Sequence, residues 1–215
     1  MKTVNSSRHH LREWAKQAAA QGRDPSFRVL DAGAGDAPYR DLFAHVSYET
    51  ADLRTVDKPY ARIDHACDLA DMPMPDGRYD LIFCTQTLEH VKDPIGVLRE
   101  FRRLLRPGGQ AWLTAPLFYA EHEAPYDFYR YTQHAWRHMA DEAGLRVAEI
   151  AWLEGYYGTL SYQLSMAATE LPASMLLWRL MLGRLSRSMA RRDLHNKVTD
   201  RGMCKNYRVR LVKDA

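Results

Sequence analysis

Apolar positions follow two rhythms along this chain. Residues 27–30 (FRVL), 79–84 (YDLIFC), 111–117 and 145–153 are short apolar runs of strand length. The run at 79–84 is of the kind that fills a central parallel strand. Residues 47–53 (SYETADL) and 61–69 predict two further, weaker strands, and the alternation at 207–212 (YRVRLV) predicts a last one. Between these runs the spacing turns helical. Leu11, Trp14, Ala15 and Ala18 share one face, as do Leu98, Phe101, Leu104 and Leu105. Ala135, Trp136, Met139, Ala140 and Ala143 form a third such face. A shorter helix is predicted over 39–46, with Leu42 and Phe43 facing inward. Ser7 and Thr132 stand where N-caps are wanted, and Pro107-Gly108-Gly109 stops the helix that starts at Pro94.

Strands alternating with helices imply right-handed crossovers and a parallel sheet covered on both faces. The fold class expected is therefore α/β, a Rossmann-like three-layer sandwich. Ligands of such sheets bind beyond the carboxyl ends of the strands. Asp31, Asp52, Asp68, Thr85 and Pro116 all fall at predicted strand ends, so one rim collects them.

The stretch FRVLDAGAGDAPY reads as strand, glycine turn and helix start. Gly33 and Gly35 allow a sharp turn and a close ligand, and a helix N-terminus offers free N–H groups. Pro38 occupies the third glycine position of the dinucleotide fingerprint, which weakens a nicotinamide reading. Asp52 follows the turn at the spacing from which a carboxylate accepts ribose hydroxyls; the alternative is a strand-end cap.

Charge and composition narrow the partners. A formal net charge of +3 over 215 residues does not argue for nucleic acid. Cys67, Cys84 and Cys204 are scattered, so neither a disulfide framework nor a zinc site is indicated. The first residues lack the apolar stretch of a signal peptide, and a reducing cytoplasm is the expected compartment.

VLDAGAGDAPY, Asp52, CDLADMPMPDGRYDLIFC, LEHVKDP and LRPGG, in that order, resemble the class I S-adenosylmethionine-dependent methyltransferases, in particular the type 11 group of small-molecule enzymes. The resemblance covers roughly residues 27–155, and Ala37 stands where that group often has glycine. It implies a mostly parallel seven-stranded sheet of order 3-2-1-4-5-7-6, the last strand antiparallel, with a helical insertion between strands six and seven. It implies S-adenosylmethionine as cofactor and S-adenosylhomocysteine as product. Asp31, Gly33 and Gly35 would hold the methionine end, with Ala34 in the same turn. Asp52, beside Leu53, would bind the ribose; Asp68 and Leu69 would flank the adenine; Thr85 and Gln86 would line the wall near the sulfonium. One domain is expected over 1–215: an N-terminal helix in 1–26, a cofactor-binding core in 27–157, the insertion in 158–205 and the last strand in 206–215.

Methyl transfer to oxygen needs a base, and His90, just past the fourth predicted strand, is the candidate; the alternative is a turn-forming Glu89-His90 pair. Residues 118–132, FYAEHEAPYDFYRYT, overhang the same rim, and similar segments in bacterial relatives look like substrate-side lids. His122, Tyr126, Asp127, Tyr129 and Arg130 are the expected acceptor contacts, with an internal Asp127–Arg130 salt bridge as the competing reading. His122, Glu123 and Asp127 have ligand chemistry, yet no second dense cluster accompanies them and no metal is expected. Thr85-Gln86-Thr87-Leu88 replaces the Asn/Asp-Pro-Pro-aromatic motif of nucleobase enzymes, which leaves a small-molecule acceptor, sugar, natural product or lipid-linked.

Residues 171–192 of the insertion carry five arginines and no acid among Leu, Met and Trp. The stretch is too short and too charged to span a bilayer. It suits a helical cap on the core, a membrane-surface segment, an apolar-substrate cap or a homodimer contact.

Overall fold

The computed structural model describes residues 5–54 and 60–215. Six strands form one sheet: β1 (Arg28–Ala32), β2 (Ser47–Ala51), β3 (Tyr79–Thr85), β4 (Leu105–Pro116), β5 (Arg146–Trp152) and β6 (Asn206–Val212), in the order β2-β1-β3-β4-β6-β5. β1 pairs in parallel with β2 and β3, and β3 with β4. β6 runs against both neighbours. Its end meets the start of β4, where Gly108 N–H donates to Lys213 O and Lys213 N–H to Gly109 O. Its start meets the end of β5, where Leu153 N–H donates to Asn206 O, and Arg208 pairs with Glu149 at 2.8 Å.

The α/β class and the mostly parallel sheet are as expected. The seventh strand, expected over 61–69, is absent among the described residues and is reduced to one parallel bridge between Ala51 and His65. The reason is local. Asp64 takes hydrogen bonds from Thr50 N–H at 3.0 Å and Thr50 Oγ1 at 2.8 Å, and its own N–H donates to Thr50 Oγ1. Side-chain bonds thus displace most of the ladder on the outer edge of β2. The bridge stands where the outer strand was expected, so the order is otherwise kept.

Two further corrections concern lengths. The helix expected over 39–46 is a four-residue 3-10 turn, Arg40–Phe43, because Ala37 (φ 49°) and the glycine turn consume the residues between β1 and β2. The helix from Pro94 ends at Leu104, and Leu105 already belongs to β4; the Pro-Gly-Gly that follows lies within that strand. The described part of the irregular 72–77 segment is tied down by Arg103, which donates to Met72 O and Met74 O and pairs with Asp76 and Glu100.

The helices are α1 (Ser6–Ala19), α2 (Pro94–Leu104), α3 (Gln133–Glu142), α4 (Tyr156–Glu170) and α5 (Leu176–His195). Asp93 caps α2 through Gly96 N–H, and Thr132 caps α3 through Ala135 N–H. The chain clusters into two compact units. The larger comprises residues 14–151 and 207–215 and holds the sheet core, with Leu81, Ile82 and Phe83 of β3 fully buried. Phe83 packs with Phe43 and Tyr39, and Trp14 with Trp112 at a ring separation of 4.3 Å.

The smaller unit comprises residues 1–13 and 152–206 and is built on the α4–α5 hairpin. Its interior is polar: His10 Nε2 lies 3.0 Å from the buried Asp193, and Asn206 donates to the buried Glu154 at 2.9 Å.

Candidate functional site

Within the larger unit, the carboxyl ends of the parallel strands open onto a cavity of about 450 Å³, in the range of small-molecule sites. The turn after β1 forms one wall. Gly33 has φ 74°, and a Cβ there would sit 2.2 Å from the Thr87 side chain, so only glycine fits. Gly35 has φ 56° with open space where a Cβ would be. Its N–H donates to Asp52 Oδ2 at 3.0 Å, and Arg54 N–H donates to Asp52 Oδ1 at 2.7 Å. A carboxylate has about four acceptor positions, so Asp52 is oriented by backbone while lone pairs remain for a ligand.

Of the expected site residues, Gly33, Asp52, Leu53, Asp68, Leu69, Gln86, His90 and Tyr126 line this cavity. Gln86 (φ 53°) is held by its N–H to Thr114 O and by its side chain to Thr114 Oγ1. Gly35 lies in the turn itself, and the remaining expected residues are not among those that line the cavity. Ala34 packs with Ala37 and Ile63, and Thr85 closes β3 beside Thr114. Asp31 is buried on β1 and accepts a very short hydrogen bond from Tyr48 Oη. Burial pushes its carboxyl up to about 7 against the opposing pull of Tyr48. The unexpected lining residues are Tyr60, Ala70, Thr87, Val91, Lys92, Asp93, Glu123 and Phe128. Most of them lie in stretches with a legible signal: Thr87 beside Gln86, Val91, Lys92 and Asp93 in LEHVKDP, Ala70 in the CDLAD run, and Glu123 and Phe128 in the segment that overhangs the rim.

His90 ends a 3-10 turn, Leu88–His90. Its Nδ1–H donates to Tyr126 O at 2.6 Å, which leaves the lone pair on Nε2. Glu123 Oε2 is 3.9 Å from that Nε2, and the His122 ring stands edge-on with centroids 4.7 Å apart. Burial, the largest influence, holds the His90 imidazole below its ordinary value, so the ring is neutral near pH 7.

Asp127, Tyr129 and Arg130 brace the segment that carries Tyr126. Arg130 binds both Asp127 oxygens, at 2.7 and 2.8 Å, and also donates to Tyr119 O and Ala120 O. This arginine holds the Asp127 carboxyl far below the usual carboxylate range. Asp127 also accepts from His122 N–H, and Tyr129 Oη donates to Lys92 O. Phe128 and Tyr129 N–H both donate to Glu89 O, and Tyr131 Oη to Leu88 O. The Glu89 side chain is fully buried, neither carboxyl oxygen has a hydrogen-bond partner among the described residues, and burial pushes it up to about 8. Glu89, His90 and His122 bring one ligand-type atom each to within 4.8 Å of one another.

A family model described as "Methyltransferase domain" matches residues 6–150. The chain belongs to this methyltransferase family. Among curated relatives, "Probable S-adenosylmethionine-dependent methyltransferase/" of Mycolicibacterium smegmatis is 36% identical over 104 residues, covering 44% of this chain and 38% of that protein. A "Ubiquinone biosynthesis O-methyltransferase" of Pseudomonas paraeruginosa is 47% identical over 100 residues, covering 40% and 43%. The aligned stretch thus spans about two fifths of the length of these relatives. Among solved structures, the [4+2]-cyclase SpnF has a TM-score of 0.62 at 17% identity, covering 97% of this chain and 81% of that one. Phosphoethanolamine N-methyltransferase 2 of Haemonchus contortus, solved with S-adenosyl-L-methionine, has a TM-score of 0.60 at 14% identity, covering 97% and 53%. At these identities the structural likeness is one of fold, over 97% of this chain.

The buried acids make stability fall with pH. In the folded chain Asp31 and Glu89 keep protons to about 7 and about 8, whereas unfolded carboxyls release them near pH 4. The folded state therefore binds more protons through this window and loses stability as pH rises. His90, with its lowered value, acts in the opposite sense only below about pH 6.5. The melting temperature should drop as pH rises from about 5 to about 8, and Glu89→Gln should flatten that slope. Scanning calorimetry across the range checks both; a melting temperature that rises would contradict the assignment.

Proposed function

We propose that this chain moves a methyl group from S-adenosylmethionine to a hydroxyl of a small, partly apolar molecule. His90 carries the reading: its Nδ1–H is committed to the Tyr126 carbonyl, so Nε2 keeps the lone pair that can accept a proton, on a residue that lines the cavity. The acceptor hydroxyl gives its proton to that nitrogen, and Glu123, 3.9 Å away, stabilises the imidazolium that forms. The cofactor supplies, when bound, a methyl group on a positively charged sulfur. The turn at Gly33–Gly35 and Asp52 receive its methionine and ribose parts, Asp68 and Leu69 its adenine, and Gln86 the wall between. The fit rests on the open space at Gly35 and on the backbone-oriented Asp52 carboxylate. Holding nucleophile and methyl group together in a closed site accounts for much of the rate.

Oxygen as the acceptor atom is supported by the base at His90 and by relatives named as O-methyltransferases. Phe128, Tyr126 and Leu53 on the wall favour an acceptor with an apolar part. The fold by itself does not decide the chemistry, since a cyclase shares it. A chain that binds the cofactor without turnover on any acceptor would be a binding module, and methylated nitrogen or carbon in the product would replace oxygen in the proposal.

Calorimetric titration with S-adenosylmethionine, S-adenosylhomocysteine and NAD is the first test: binding of the first two and none of NAD is expected. Asp52→Ala should weaken that binding at least roughly tenfold, through loss of hydrogen bonds to a charged acceptor; unchanged affinity would remove Asp52 as the ribose site. With a hydroxylated acceptor found by labelled-methyl screening, His90→Ala should lower kcat about 100-fold and leave cofactor affinity intact. The acid limb of kcat/KM should lie below about pH 6.5, since the His90 value is lowered and only the neutral ring accepts a proton. Full activity of His90→Ala would exclude it as the base. Adding EDTA should leave the rate within about twofold. A metal-restored loss would instead make Glu89, His90 and His122 a cation site.

A further inference from the structure

We propose that α5 docks this protein on an anionic lipid surface. The smaller unit exposes an apolar cluster at the start of this helix: Leu177 is 81% exposed, Leu176 57% and Trp178 56%, with Leu180, Met181 and Leu185 beside them. The opposite side of the helix is already committed. Arg179 Nε donates to Ala168 O at 3.2 Å, Ser186 Oγ donates to Ser161 O at 2.8 Å, and Ala190 is buried. The hairpin therefore presents the apolar side chains as a fixed outer face.

Charge decides what covers that face. Residues 171–192 hold five arginines and no acid. Positions 177, 181, 184, 188 and 191 share one stripe at helical spacing, and read Leu, Met, Arg, Ser, Arg. The outer face thus grades from apolar in the first turns to basic in the later ones, with Arg184 and Arg191 exposed. A helix of this kind sinks its apolar end towards the acyl boundary while its arginines meet lipid phosphates, and Trp178 suits the interface between them. A second copy of the chain fits less well. Twofold pairing centred on the basic half of this face would set arginine against arginine; of the two flanking acids, Asp193 is fully buried against His10, and the exposed Glu170 ends α4 beyond the basic half. Crossing the bilayer is also ruled out, since no helix among the described residues is long and apolar enough.

The test is flotation of the full chain with phosphatidylcholine vesicles, with and without phosphatidylglycerol, alongside light scattering of the free protein. Binding should be roughly tenfold tighter on the anionic vesicles and should weaken with added salt. Leu177→Asp with Trp178→Asp should abolish it, and Arg184→Glu with Arg191→Glu should remove the preference for phosphatidylglycerol. An unchanged circular dichroism spectrum and unchanged S-adenosylmethionine affinity would show that these variants are folded. No binding, equal binding to both vesicle types, or binding that survives Leu177→Asp with Trp178→Asp overturns the proposal. A dimer dispersed by the same double substitution, without vesicle binding, overturns it in favour of a second copy.

Discussion

The turn after β1 is confined from two sides. Thr87 lies so close to Gly33 that no side chain fits between them, and Gly35 N–H holds the Asp52 carboxylate. One turn of backbone thereby ties together the ends of β1, β2 and β3. These are the strand ends that face the cavity, so its floor is set by contacts of backbone and small side chains. A left-handed conformation at Gly33 and again at Gly35 is what makes the arrangement possible. The rest of the site hangs from this frame.

The opposite wall depends on a different device. The segment after β4 is hydrogen-bonded back onto the 3-10 turn that carries His90, through the Glu89 and Leu88 carbonyls, while the Asp127–Arg130 pair braces it internally. His90 is in turn oriented by a carbonyl of that segment. This segment and the candidate base form one hydrogen-bonded body. The buried Glu89 carboxyl has no hydrogen-bond partner among the described residues, a cost the fold bears by keeping it protonated near neutral pH.

Much of this was legible along the chain. The apolar runs at 79–84 and 207–212 become β3 and β6 within a residue or so, and Thr132 caps α3 as its position suggests. Eight of the expected site residues line the cavity because strand ends in a parallel sheet converge whatever the intervening loops do. The outer strand at 61–69 was not legible. Asp64 and Thr50 replace ladder bonds with side-chain bonds, and that choice depends on their meeting across fourteen residues of sequence separation. Asp127, Tyr129 and Arg130 carry the chemistry of a binding site but face inward or away, an orientation that spacing alone does not reveal.

The sequence by itself determined the α/β class, the glycine turn, the acidic residue after β2 and the basic, greasy stretch at 171–192, because each follows from local periodicity or from residues close together in the chain. Only the tertiary structure decided which nitrogen of His90 keeps its lone pair, which residues of the segment after β4 brace it and which side of α5 is left uncovered. Those depend on long-range partners: Tyr126 for His90, the 3-10 turn for the segment after β4 and α4 for α5. Hydrogen-bond partners remote in sequence leave no periodic trace, so the fold class could be read from the chain and the wiring of the site could not.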